Sequence, residues 1–273
     1  MKWRGRRQSR NVEDRRGAAA GGGVLLLLLR LIVGRFGLRG LFFLAIIGVG
    51  LYVAGVNPLA LLQVQTASTQ QQVEADDETS QFIRVILAET EEVWSRLFAE
   101  AGSTYPEPTL VMFSGSVSSA CGYASAAAGP FYCPADRKVY LDTGFFRELE
   151  ARFQAPGDFA PAYVIAHEVG HHVQTVTGIS DQVRSAQQRA QGAAEANQYQ
   201  VMMELQADCY AGVWAHYADR TNLLDDGDIE EGLRAAAAIG DDTLQRNAGR
   251  RVTPESFTHG SSEQRQRWFT QGY

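Results

Sequence analysis

The chain has 273 residues, 45% of them hydrophobic and 21% charged, ordinary values for a folded protein of one good-sized domain and more. The net charge of −6 is unevenly spread: ten of the 25 basic residues fall within residues 1–40 beside two acidic ones, so the rest holds 15 basic against 29 acidic. So acidic a body excludes nucleic-acid binding as its function, and no nucleic-acid partner is expected.

Residues 1–39 are a basic segment, Gly/Ala-rich in its first half, and are expected to be disordered. Residues 40–62, GLFFLAIIGVGLYVAGVNPLALL, are uncharged and long enough to cross a bilayer as a helix. Basic residues before this span and acidic ones after it predict a single-pass protein of the bacterial inner membrane. Its N-terminus would be cytoplasmic, its folded body periplasmic or extracellular, and the lipid bilayer its partner. A buried core helix and a cleaved signal peptide are the rival readings; the charged region before the span is longer than a typical signal. Residues 63–79, QVQTASTQQQVEADDET, read as a polar linker, with the folded domain over 80–273.

Phe82 to Ala101 has the spacing of an amphipathic helix, with Phe82, Val85, Ile86, Val93, Trp94 and Leu97 near one face. TLVMF (109–113) is a short strand candidate. In the loop that follows, CGYASAAAGPFYC, Cys121 and Cys133 can form a disulfide in an oxidising compartment, or remain two thiols. Cys209 is left over as a small buried thiol. KVYLD (138–142) reads as a strand of alternating polarity, and Thr143 as the cap of a helix to about Phe153. Asp158 and Pro161 mark the start of a helix that Gly178 ends. Ser180 opens another; Ala193–Tyr217, Gly227–Ile239 and Ser261–Phe269 complete the set. The acidic run LLDDGDIEE (223–231) lacks the spacing of a twelve-residue calcium loop and reads as a solvated helix start. The fold class expected is α+β, mainly helical with a small sheet, preceded by a single transmembrane helix.

Three of the five histidines fall within AYVIAHEVGHHVQTVTG (162–178). His167 and His171, four apart, project from one helix face and can meet at a single ion, as zinc prefers nitrogen ligands in a tetrahedral set. Glu168, beside the first histidine, reaches water near the ion rather than the ion itself, which is the mechanical content of H-E-x-x-H. The flanking residues are apolar, so the helix is expected to be buried, where unpartnered imidazoles are costly. His172 points about a hundred degrees away and is expected to be a hydrogen-bonding core residue.

A catalytic zinc needs a third protein ligand. In NQYQVMMELQADCYAGVWAHYAD (197–219), Glu204 and Asp208 lie four apart on the stripe that also carries Val201, Leu205 and Gly212. Glu204 can complete a His/His/Glu set, and Asp208 can accept a hydrogen bond from the far nitrogen of a ligand histidine. The competing reading places both carboxylates in salt bridges with arginines of neighbouring helices.

HEVGHH followed by ELQADCYAGVWA resembles the bacterial neutral zinc metallopeptidases, a membrane-anchored family related to the gluzincins. KWRGRRQSRNVEDRRG, ACGYASAAAGPFYCPADRKVYLD, GDIEEGLRAAAAIGDD and SFTHGSSEQRQRWF extend the resemblance over nearly the whole chain. It implies a zincin-like domain, one Zn²⁺ per chain and a peptide or protein substrate. It assigns Glu204 as third ligand and matches Asp208 to the aspartate of the family's ExxxD. The activity implied is an endopeptidase using a zinc-activated water with Glu168 as general base. His259, before Gly260 and a helix start, is the first candidate for steadying the oxyanion, with Tyr210 and His216 as rivals. The strand 138–142 and the Cys121–Cys133 loop are expected to border the substrate groove, as zincins hold an extended peptide against a sheet edge. The alternatives are a zinc hydrolase of a non-peptide substrate and a non-catalytic, metal-stabilised scaffold; Glu168 argues against the scaffold, since a structural zinc needs no base.

Overall fold

The computed structural model describes residues 1–16, 58–125, 129–146, 149 and 157–273, with backbone alone for 58–77. Two compact units divide the chain, one of Met1–Arg15 with Gln81–Tyr273 and one of Arg16–Ser80. In the first, a four-stranded sheet has the order β1 (Val12–Asp14), β2 (Thr109–Phe113), β6 (Lys138–Asp142), β5 (Phe131–Cys133), parallel except for the antiparallel β5 edge. A hairpin of β3 (Ser116–Ser119) and β4 (Gly122–Ser125) stands apart as a second sheet.

The alternation of β2 and β6 sorts two cores. Leu110, Met112, Val139 and Leu141 enter the main core, while Val111, Phe113, Tyr140 and Cys133 join Val117 in a smaller one. Both faces are therefore covered, and β6 is buried from Val139 to Asp142, contrary to the alternating polarity expected of it. The helices are α1 (Pro58–Glu100), α2 (Phe159–Val176), α3 (Ile179–Arg189), α4 (Ala193–Arg220), α5 (Asp228–Ala238), α6 (Asp241–Asn247) and α7 (Ser262–Gly272). The expected helix from Thr143 lies mostly outside the described residues. α2, buried from Phe159 to Gln174, packs against β5 and β6 and against α4 and α5. Its expected cap, Asp158, makes no capping bond and accepts from Trp3 instead. Glu231 of α5 supplies the cap, accepting the Ala160 N–H at 2.7 Å.

Three expectations are corrected. Residues 63–79 are helical, not a linker: α1 opens on Pro58 and runs 43 residues, with no glycine or further proline to stop it before Gly102. Residues 1–15 are not disordered. Trp3 is buried, Arg6 pairs with Glu89 and Arg7 with Glu91, and β1 extends the sheet beside β2. The single transmembrane helix and the single-pass localisation are also overturned. No helix among the described residues is long and apolar enough to cross a membrane. Residues 40–57 of the expected span lie outside the described residues; 58–62 open α1. Because residues 1–15 and 81–273 form one unit, they cannot occupy opposite sides of a bilayer, as a single pass between them requires.

Candidate metal centre

The helix pair α2 and α4 builds the site. Gly170, inside HEVGH, lies so close to α4 that a Cβ there would stand 3.1 Å from the Ala207 backbone. That approach brings His167, His171 and Glu204 together, each buried, with one ligand atom apiece within 4.8 Å of the others. Nε2 of His167 lies 3.2 Å, and Nε2 of His171 3.5 Å, from the same Glu204 oxygen, Oε2. The arginine salt bridge weighed against this at Glu204 is not what the structure holds.

The partners on the far sides fix which atoms face inward. Asp208 Oδ1 takes the Nδ1 side of His167 at 2.9 Å. Gln174 donates its amide to Met203 O at 2.7 Å and to Gln206 at 3.0 Å, so its Oε1 must be the acceptor 2.9 Å from His171 Nδ1. Each imidazole thus carries a hydrogen on Nδ1, and Nε2 is the nitrogen it turns towards the carboxylate. Glu204 Oε1 accepts from Gln200 at 3.0 Å, which leaves Oε2 for the centre. With both rings neutral, two lone pairs and a carboxylate oxygen directed at one point call for a cation between them. Two nitrogens and one carboxylate oxygen are the donor set of a catalytic zinc, so these residues fit the ion.

The charges agree. Burial would lower the His167 pKa, but the Asp208 charge beside it prevails and raises it to about 10. Burial would raise the Glu204 carboxyl, and the charge of His171 with the bonds from both histidines holds it well below its usual range. For Glu168 burial prevails over the neighbouring histidines and pushes the carboxyl up.

Asp208 has no exposed surface, and it does have an arginine partner. Arg265 of α7 donates from Nε to Oδ2 at 2.8 Å and from Nη2 to Oδ1 at 2.9 Å, and the Tyr163 hydroxyl donates to the same Oδ1. Sequence reasoning passed over Arg265, which sits in a polar run, SEQRQRWF. Its one local signal is the four-residue spacing to Phe269, which is also buried.

A cavity of about 370 Å³ opens onto the centre, lined among others by Glu168, Phe131, Tyr132, Leu244 and His259. His259 is half exposed on the turn before α7. Asp241 Oδ2 accepts the N–H groups of Thr258, His259 and Gly260 at 2.7, 2.6 and 3.0 Å, and Asp241 Oδ1 lies 3.5 Å from His259 Nδ1. The rivals Tyr210 and His216 do not line this cavity. His172 lies in the core, 3.1 Å from the Tyr132 hydroxyl, with its Nε2 on Pro106 O. The strand bordering the cavity is β5 rather than β6, which is interior to the sheet. Cys121 is bonded to Cys133 at the end of β5. Cys209 is a free thiol, half-buried rather than enclosed.

A family model described as "Putative neutral zinc metallopeptidase" matches residues 1–273. The uncharacterized protein YpfJ of Escherichia coli (strain K12) is 47% identical over 277 residues, covering 100% of this chain and 95% of its own. The uncharacterized protein Rv2575 of Mycobacterium tuberculosis (strain ATCC 25618 / H37Rv) is 42% identical over 243 residues, 80% of each chain. No solved structure matches.

Proposed function

The chain belongs to the neutral zinc metallopeptidase family, and from that premise we propose that it is a zinc-dependent endopeptidase. One observation carries the reading: two histidine nitrogens and a carboxylate oxygen converge on one buried point, and the Glu168 carboxyl lines the cavity that opens onto it. His167, His171 and Glu204 would hold the ion. When bound, zinc supplies Lewis acidity, polarising a scissile carbonyl and lowering the pKa of water to about 7.

The rest is work for the chain's own side chains. Glu168 takes a proton from the attacking water at its carboxylate and returns it to the departing amine nitrogen. Its raised pKa brings it nearer the working pH of such an acid–base shuttle. His259 stands at the cavity with its turn tied down by Asp241, where Nε2 can donate to a developing oxyanion. β5 offers a sheet edge along which an extended peptide can pair by its main chain.

The test is metal analysis of the full chain together with digestion of a peptide library. We expect one zinc per chain and cleavage at internal bonds. Glu168→Gln should keep the metal and lose activity on the order of a hundred- to ten-thousand-fold. A Glu168→Gln protein as active as the parent would remove the general base from the scheme.

A further inference from the structure

We propose that Arg265 is a positioning residue of the metal centre: its guanidinium fixes the Asp208 carboxylate in the orientation that receives His167 Nδ1–H, and so sets the affinity for zinc. The inference takes the ion and its ligand His167 from the function proposed above, and not the peptidase activity.

Arg265 is 2% exposed, and both arms of its fork engage Asp208. Oδ1 of Asp208 gathers three donors: His167 Nδ1, Tyr163 OH and Arg265 Nη2. Arg265 Nη2 also donates to the Tyr163 oxygen at 3.1 Å, so the three partners brace one another. Among the described residues, Oδ2 has Arg265 Nε as its one hydrogen-bond partner. Without Arg265, Oδ2 is left bare and both remaining bonds fall on Oδ1, so the carboxylate plane is free to turn. A turned carboxylate no longer aligns the imidazole, and the Nε2 lone pair swings with the ring.

Charge alone does not explain an arginine here. A guanidinium beside a cation site opposes the cation by Coulomb repulsion. A buried ion pair is also weak evidence of stability, because apolar residues of similar volume often serve as well. What a planar fork supplies and a point charge does not is the fixed angle between two parallel hydrogen bonds. The backbone prepares its position. A Cβ on Gly212 of α4 would overlap the Phe269 carbonyl oxygen of α7, and one on Gly272 would overlap the Cys209 carbonyl oxygen of α4. Two glycines thus let α7 lie directly against the helix that carries Glu204 and Asp208, with Arg265 opposite Asp208.

The experiment is zinc titration of the full chain against a competing chelator, with thermal unfolding of the metal-free forms in parallel. Arg265→Gln should weaken zinc binding about 10- to 100-fold, the size of an outer-contact loss. Arg265→Lys should recover part of this, since an ammonium lacks the rigid fork. In an Asp208→Asn background, Arg265→Gln should add less than about threefold, because both changes break one linkage. A merely structural arginine would lower the unfolding temperature, leave the affinity of the folded protein unmoved, and show no dependence on Asp208. An affinity within twofold of the parent overturns the proposal, as does a loss undiminished in the Asp208→Asn background. Should Arg265→Gln fail to fold, Tyr163→Phe removes one donor to the same oxygen without changing charge. It should cost a few-fold in affinity, and an unchanged affinity overturns the proposal. A chain that cleaves peptides while Arg265→Gln binds zinc as the parent does sinks this inference alone. One that shows the expected order of affinities but cleaves nothing sinks only the peptidase reading.

Discussion

The floor and the rim of the cavity treat histidine in opposite ways. On the floor, His167 and His171 are buried and each is held from behind, by Asp208 and by Gln174. At the rim, His259 is half exposed, and its position comes from the backbone of its turn, whose N–H groups converge on Asp241. The metal ligands proposed here must each present one lone pair along one line, and both ends of the ring are specified to match. The oxyanion donor proposed at His259 needs only a fixed anchor and room to move. The contrast teaches that rigidity here follows the task proposed for each residue rather than its chemistry.

The sharpest break of this comparison is on the floor. Glu204→Ala removes the carboxylate on which both imidazoles converge. Zinc affinity should fall by more than the ~100-fold typical of losing an outer contact, and activity should vanish with the metal. Stoichiometric zinc in that variant, measured by elemental analysis, would take Glu204 off the ligand set. Next in size is the rim. His259→Ala should retain its zinc and lose about 100- to 1,000-fold in kcat, the range for one oxyanion donor. Equal kcat in the variant and parent would reduce His259 to a surface residue. Smaller again is the anchor. Asp241→Ala leaves three N–H groups without their shared acceptor and should destabilise the fold by about 1–3 kcal/mol. Denaturant unfolding measures this, and zinc affinity should not change; a loss of zinc would mean that floor and rim are one unit.

The floor was legible in the sequence because periodicity exposes it. Polar residues four apart on an apolar stripe, once at His167 and His171 and again at Glu204 and Asp208, stand out against what a buried helix should contain. Arg265 gave no such contrast, since its neighbours Gln264, Gln266 and Arg267 are polar and the run reads as a solvated helix. The N-terminal segment misled for a related reason. Its basic residues look like those of a solvated tail, yet Arg6 and Arg7 meet Glu89 and Glu91 more than 80 residues away. No local pattern carries a pairing of that range. β5 is three residues long and lies in a Gly/Ala-rich loop, too short for alternation to declare itself. The long helix α1 was hidden by composition: Gln, Thr and Ser suggest a linker, although nothing in that run breaks a helix.

The smallest effect concerns the side wall, which is intermediate between floor and rim. His172 follows His171 directly but faces the sheet. Its Nε2–H donates to the Pro106 carbonyl, so Nδ1 is left to accept from the Tyr132 hydroxyl at 3.1 Å. That assignment suits a neutral ring, and burial lowers its pKa in the same sense. One turn of α2 therefore turns one histidine to the buried centre and the next to the edge strand β5. Tyr132→Phe removes this bond while keeping the ring against the cavity. A neutral hydrogen bond of this kind is worth about 0.5–1.5 kcal/mol, so unfolding should shift by no more than that. If β5 carries substrate, its loosening should appear as a few-fold rise in KM with kcat and zinc content unchanged. A fall in kcat at constant KM would instead give Tyr132 the kind of role proposed for His259, contact with the reacting atoms.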